Sequence, residues 1–171
     1  MLNHSFEIKT WRSNFVIEKH MKNLLFILLL FVITGVYGQQ TKVENNVLYK
    51  SVPLAKNDAG FLALKRTAQK YLPQFIDSLQ KHGGDVQGYR FVVKSDFVEG
   101  DTHEHMWSEV IGYSNGIFKA VFIDSPFTLK NIKLGDKISI NQTDVEDWAV
   151  HNLKTKKITG EFSEKYLNTR Q

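Results

Sequence analysis

The feature that most constrains this chain is a change of hydrophobic period between residues 84 and 89. Upstream, Phe61, Leu64, Ala68, Tyr71, Leu72, Phe75, Ile76 and Leu79 recur at steps of three and four. That spacing winds into a single apolar stripe at 3.6 residues per turn. Downstream, Tyr89, Phe91 and Val93 alternate with Arg90, Val92 and Lys94, the period of two that sends successive side chains to opposite faces of a strand. One helical region followed by a run of short strands predicts an α+β fold, with the N-terminal helical region packed on an antiparallel sheet that could close into a barrel.

Local signals set the expected boundaries. Asn57 or Asp58 can cap the helix with a side-chain oxygen. Pro73 removes one backbone donor, which predicts a kink or two shorter helices. His82-Gly83-Gly84 ends the helix, with glycine expected in the left-handed conformation. Glu99–Thr102 reads as a turn and His105–Tyr113 as a strand. Asn115-Gly116 carries the hairpin signal, and Ile117–Ile123 follows as a strand ahead of Pro126. Leu134-Gly135-Asp136 turns into a strand over residues 137–140. Val145–Val150 fits a strand or a helical turn that Asp144 could cap. Lys154–Lys157 is a basic turn, residues 158–162 a last strand, and Ser163 the cap of a short terminal helix. Before the helix, Gln39–Asn46 reads as a loose polar lead and Val47-Leu48-Tyr49 as a short edge strand.

Residues 24–40 carry no charge. Met21-Lys22-Asn23 is a short basic start, Leu24–Ile33 an unbroken apolar run, and Val36 and Gly38 the small residues of a cleavage site, which is the order of a secretory signal. The run is too short for a membrane span, which takes about 20 apolar residues. Met21 opens a better signal than Met1, so residues 1–20 read as an upstream extension. The expected organisation is therefore an extension and cleavable signal over residues 1–38, a lead over 39–54, and one α+β domain over 55–171. The exported product is expected in the periplasm or outside the cell, with no stable span after cleavage.

Composition then excludes several classes. The full chain has 22 basic and 18 acidic residues. Four of the basic and two of the acidic ones leave with the leader, so the remainder is close to neutral and no polyanion magnet; nucleic acid is not an expected partner. The absence of cysteine excludes disulfides, thiolate metal sites, a cysteine nucleophile and a lipoprotein anchor.

Two clusters could carry chemistry. His103-Glu104-His105-Met106-Trp107 lacks the i, i+4 histidine pair of the zinc proteases. His103 and His105 would share a face if the strand starts at His103, and could hold a divalent metal with Asp101, Glu109, Asp147 or His151. The plainer expectation is no cofactor, with both histidines as turn and strand residues. Asp144, Glu146, Asp147 and Trp148 form the second cluster. A carboxylate beside a buried aromatic can act as an acid, but Asp147 reads better as an acceptor for backbone amides at a turn, with Trp148 as a core anchor. Asp136 reads as a turn residue, and Trp107 as another core anchor. No serine sits in a nucleophile elbow, and no glycine-rich phosphate loop precedes a helix. Lys154, Lys156 and Lys157 read as a solvated turn.

Glu104-His105-Met106-Trp107, Asp124-Ser125-Pro126, Leu134-Gly135-Asp136 with Ile138, Asp147-Trp148, and the ending with Gly160, Phe162 and Ser163 occur in that order. Together with the helix bearing Ala68 and Phe75, this set resembles the YegJ-like family, domain of unknown function 2314, over about residues 55–166. The resemblance implies a small α+β domain. It implies no activity and transfers no catalytic residues, but it marks His105, Trp107, Asp136, Asp147 and Trp148 as candidate binding positions. The expected function is a non-enzymatic binding module of the cell envelope, with an envelope protein or ligand as partner. The alternatives are a metal-binding protein or metal-dependent hydrolase built on His103 and His105, and a structural or inhibitor role through an edge strand.

Overall fold

The computed structural model of the chain describes residues 40–44 and 46–170; the extension and signal read from residues 1–38 lie outside them. The main sheet has six antiparallel strands: β3 (Tyr89–Glu99), β4 (Thr102–Ser114), β5 (Ile117–Phe122), β6 (Lys137–Asn141), β7 (Val145–Asn152) and β8 (Ile158–Gly160). Their spatial order is β6-β5-β4-β3-β7-β8. β6 and β8 are free edges, so the sheet is open and does not close into a barrel. Helix α1 (Ala59–His82) packs on one face, and a short helix α2 (Glu164–Asn168) ends the chain. No helix among the described residues is long and apolar enough to cross a membrane.

Sequence and structure meet at the element ends. Asp58 caps α1, its carboxylate accepting from the Phe61 amide at 2.8 Å. Asn115 and Gly116 both take positive φ, at 49° and 75°, the mirror-image turn that suits the twist of a tight hairpin. The stripe behaves as read: Ala68, Leu72, Phe75 and Leu79 meet Phe91, Val93, Phe118, Trp148 and their neighbours in one core. Phe75 alone contacts three aromatic rings, those of Phe91, Phe118 and Trp148.

Three expectations fail for physical reasons, and a fourth fails in one of its two alternatives. Pro73 does not split the region into two shorter helices; Leu72 and Phe75 beside it are both buried, and that packing outweighs one missing backbone bond. Gly83 is right-handed, with φ −61°, and its amide bonds the Leu79 carbonyl. Glycine is favoured there by space, because a Cβ would lie 2.6 Å from that carbonyl oxygen. The expected loose lead is ordered over its described residues: β1 (Thr41–Glu44) pairs with β2 (Val47–Lys50) in a separate hairpin, with Asn46 at φ 62°. Ser163 precedes α2 but makes no capping bond, since its hydroxyl is engaged elsewhere.

Loop 123–136 is fastened rather than free. Glu104 accepts from the amides of Phe127, Thr128 and Leu129 and from the Thr128 hydroxyl. Glu99 accepts from Lys130 and Asn131. Leu129 is thereby seated on Met106 and Phe122 as a second small core. The hairpin rests on the same loop, with Glu44 accepting from the Ser125 hydroxyl, Lys42 donating to the Pro126 carbonyl, and the Lys42 ammonium 5.1 Å from the Phe127 ring centre.

Candidate functional site

Strand register assembles a polar layer on the sheet face opposite the main core. Lys94 on β3 is paired with Trp107 on β4 and Asp147 on β7, so these three share a face. A β-bulge follows: Lys94 opposes Asp147 while Ser95 opposes Val145, leaving Glu146 as the extra residue. The bulge lets Val145 and Trp148, three positions apart, both enter the core under α1. It also frees the Glu146 side chain for contacts of its own.

Lys94 is buried, with 3% exposure. Its ammonium lies 2.7 Å from Glu164 Oε1 and 4.6 Å from the Trp107 ring centre. The Trp107 indole donates to the same Glu164 oxygen at 3.1 Å. A buried ammonium needs such a partner, because an unpaired one costs several kcal/mol. Asp147, fully buried, accepts four bonds: the amides of Trp148, Phe162 and Ser163, and the Ser163 hydroxyl at 2.6 Å. Together these groups hold residues 161–164 against the sheet. Farther along, Tyr166 donates to Asp58, and Arg170 forms an ion pair with Asp58 at 2.8 Å. The chain's end is thus tied to the start of α1.

His105 joins the layer through Glu146. Its Nδ1 lies 2.5 Å from Glu146 Oε2, Lys65 donates to Oε1 at 3.1 Å, and the Phe61 ring lies 5.2 Å from the imidazole. His103 pairs separately with Asp96 at 2.8 Å. The two histidines do follow one another on one strand face, but each has its own carboxylate. Among the described residues no three histidine or carboxylate groups are placed to hold a metal ion. Of the four suggested third ligands, Glu109 pairs with Arg90 and Asp147 is spent on amides.

The local field is uneven. Burial pushes Asp124 above the ordinary carboxylate range, against the Trp107 and Ser125 amides that favour its charge. Burial, then the Glu164 charge, does the same to Glu161. Burial also acts upward on Glu164 and Glu146, but is outweighed: Lys94 and the Trp107 indole hold Glu164 low, and His105 and Lys65 hold Glu146 low. A carboxylate with a lowered native pKa stabilises the fold above its unfolded pKa, and the gain is lost as pH falls through the native value. Replacing Glu146 with Gln should therefore cost about 2 kcal/mol near neutrality. The deficit should narrow as pH falls through the carboxylate range, which thermal melts of the two proteins at neutral and acid pH will read.

Of the five candidate binding residues, register brings together Trp107 and Asp147, and Glu146 links His105 to them. Trp148 lies on the other face, its indole donating to the Ala68 carbonyl at 2.9 Å. Asp136 is exposed in the turn before β6, where it accepts from Lys133. Sequence reasoning placed Glu146 in the acidic cluster beside Asp147 but missed Lys94 and Glu164 as members of the layer. Lys94 and Glu164 are 70 residues apart, and no local pattern announces such a pair.

A family model described as an uncharacterized protein conserved in bacteria, DUF2314, matches residues 62–170. The Escherichia coli K12 protein named Uncharacterized protein YegJ is 28% identical over 127 residues, covering 74% of this chain and 76% of its own length. No solved structure matches.

Proposed function

The chain belongs to the DUF2314 family of proteins conserved in bacteria, and from that membership and the polar layer we propose that it is an exported domain that works by binding, without turnover. The observation that carries this reading is the employment of Asp147 and Lys94. Asp147 and Lys94, two buried ionisable groups of the layer, are spent on fastening residues 161–164, and a group that fixes the fold is poorly placed to exchange protons with a substrate. Trp107 and His105 are half-buried at the rim of this layer and form its recognition surface, an aromatic face beside an imidazole. The basic start, apolar run and small-residue cleavage site of residues 21–38 support export. The partner is an envelope protein or a cell-wall fragment.

The test has two parts. Produced in a bacterial host and fractionated, the chain is expected outside the cytoplasm with its mature end at Gln39; an intact chain confined to the cytoplasm would overturn export. Retention of the purified protein on peptidoglycan or immobilised envelope proteins should fall in Trp107→Ala and His105→Ala while both variants stay folded. Catalytic turnover of such a ligand, abolished by His105→Ala, would overturn binding without turnover.

A further inference from the structure

A cleft lies on the opposite side of the sheet from the polar layer. Gln74, Ser78 and His82 are spaced by four and form one row along α1. Trp148, Val150 and Asn152 alternate along β7 and form a row facing it. β8 is only three residues long, so the groove between these rows is left open at the edge of the sheet. The result is a cleft of about 220 Å³, completed by Tyr89, Lys157 and Thr159.

Its floor and its rim differ in chemistry. Trp148 and Val150 are buried and make an apolar floor, and His82 stacks on Tyr89 at 4.4 Å as one wall. Gln74, Lys157 and Thr159 are exposed and Ser78 is half-buried, and none of the four has a side-chain hydrogen bond or ion pair within the described residues. Asn152 spends its carbonyl oxygen on the Lys154 and Thr155 amides, which leaves its two N–H donors for a ligand. The lining holds a lysine and a histidine but no carboxylate. Polar side chains without protein partners beside an apolar floor fit a small-molecule site, and a lysine in a lining without carboxylates favours negative charge. The volume is below the roughly 300–1,000 Å³ of drug-sized pockets, so the ligand is about one ring in size.

We propose that this cleft binds a single-ring polyhydroxylated anion, a sugar carrying a carboxylate or a phosphate. The donors meet its hydroxyl and anionic oxygens, Lys157 supplies the countercharge, and the floor takes the ring. The site is independent of export and of the polar layer.

The test is amide-shift NMR of the chain titrated separately with glucuronate, glucose 6-phosphate and glucose. At least one anion should move the amides of Ser78, His82, Asn152 and Thr159 at concentrations where glucose does not. The anion that does so tells carboxylate from phosphate as the source of the charge. Lys157→Ala should weaken that titration about threefold to fivefold with an unchanged melting temperature, and Ser78→Leu, which fills the cleft from the helix side, should abolish it while the protein stays folded. The proposal is overturned if neither anion moves those amides, if glucose moves them equally, or if Lys157→Ala leaves the titration unchanged.

Discussion

Gly160→Ala lowers the stability of this domain by about 4 kcal/mol, roughly 10 °C in melting temperature. Two independent costs add. Gly160 has φ 93°, a conformation that a residue with a Cβ adopts only under strain. A Cβ there would also press against the Trp148 carbonyl oxygen and lie 2.5 Å from Cε3 of its ring. That ring cannot retreat, because its indole is tied to the Ala68 carbonyl and Phe162 packs edge-on against it. Against a total stability of about 5–15 kcal/mol, the change removes a large part. Gly84→Ala is the control. Nothing lies within 4 Å of a Cβ at Gly84, so it should be within about 1 kcal/mol of the parent. Thermal melts of the three proteins decide; equal melting of Gly160→Ala and the parent would mean that β8 does not seat as described.

Asp147→Ala should cost about as much by a different route. It strands the amides of Phe162 and Ser163 and the Ser163 hydroxyl, all of which lean on one fully buried carboxylate. Losing a buried charged acceptor costs about 3–5 kcal/mol. Asp147→Asn should cost about half. The amide keeps one acceptor oxygen, and the Ser163 hydroxyl can rotate to accept from the new NH2 group, but a backbone N–H on that side cannot. A graded series of wild type, Asn and Ala in denaturant melts is the expected result. An Ala variant as stable as the parent would show that Asp147 does not fasten the C-terminal segment.

What could be read from the chain follows the range of the interactions involved. The α1 stripe, the Asp58 cap and the Asn115-Gly116 turn are set by residues within a few positions of one another, and the residue order carries them. A break into two helices at Pro73 does not occur, because the local rule weighs one lost backbone bond and cannot see Leu72 and Phe75 buried beside it. Of the hairpin, the strand at Val47-Leu48-Tyr49 was legible, but β1 was misjudged because its polar sequence, Thr41–Glu44, shows no apolar alternation. The loop it rests on is more than seventy residues away, with Glu44 and Ser125 separated by 81. For the site, the chemistry of Asp147 as an amide acceptor was legible, but its place was not: it lies within β7 and not at a turn. Its partners Phe162 and Ser163 were not legible either. The bulge at Glu146 was also invisible, yet it is what lets Val145 and Trp148, three positions apart, share the core face.

The account turns on whether Asp147 and Lys94 are spent on holding the C-terminal segment or are free to do chemistry. Hydrogen exchange of the Phe162 and Ser163 amides reads this directly. If both amides are held by Asp147, they exchange as slowly as central amides of β3 and β7, and Asp147→Asn speeds them selectively while those strands stay protected. If they exchange at the rate of an exposed chain end in the parent protein, the segment is not fastened, the carboxylate is available, and the reading of a fold-holding layer in a binding domain is contradicted.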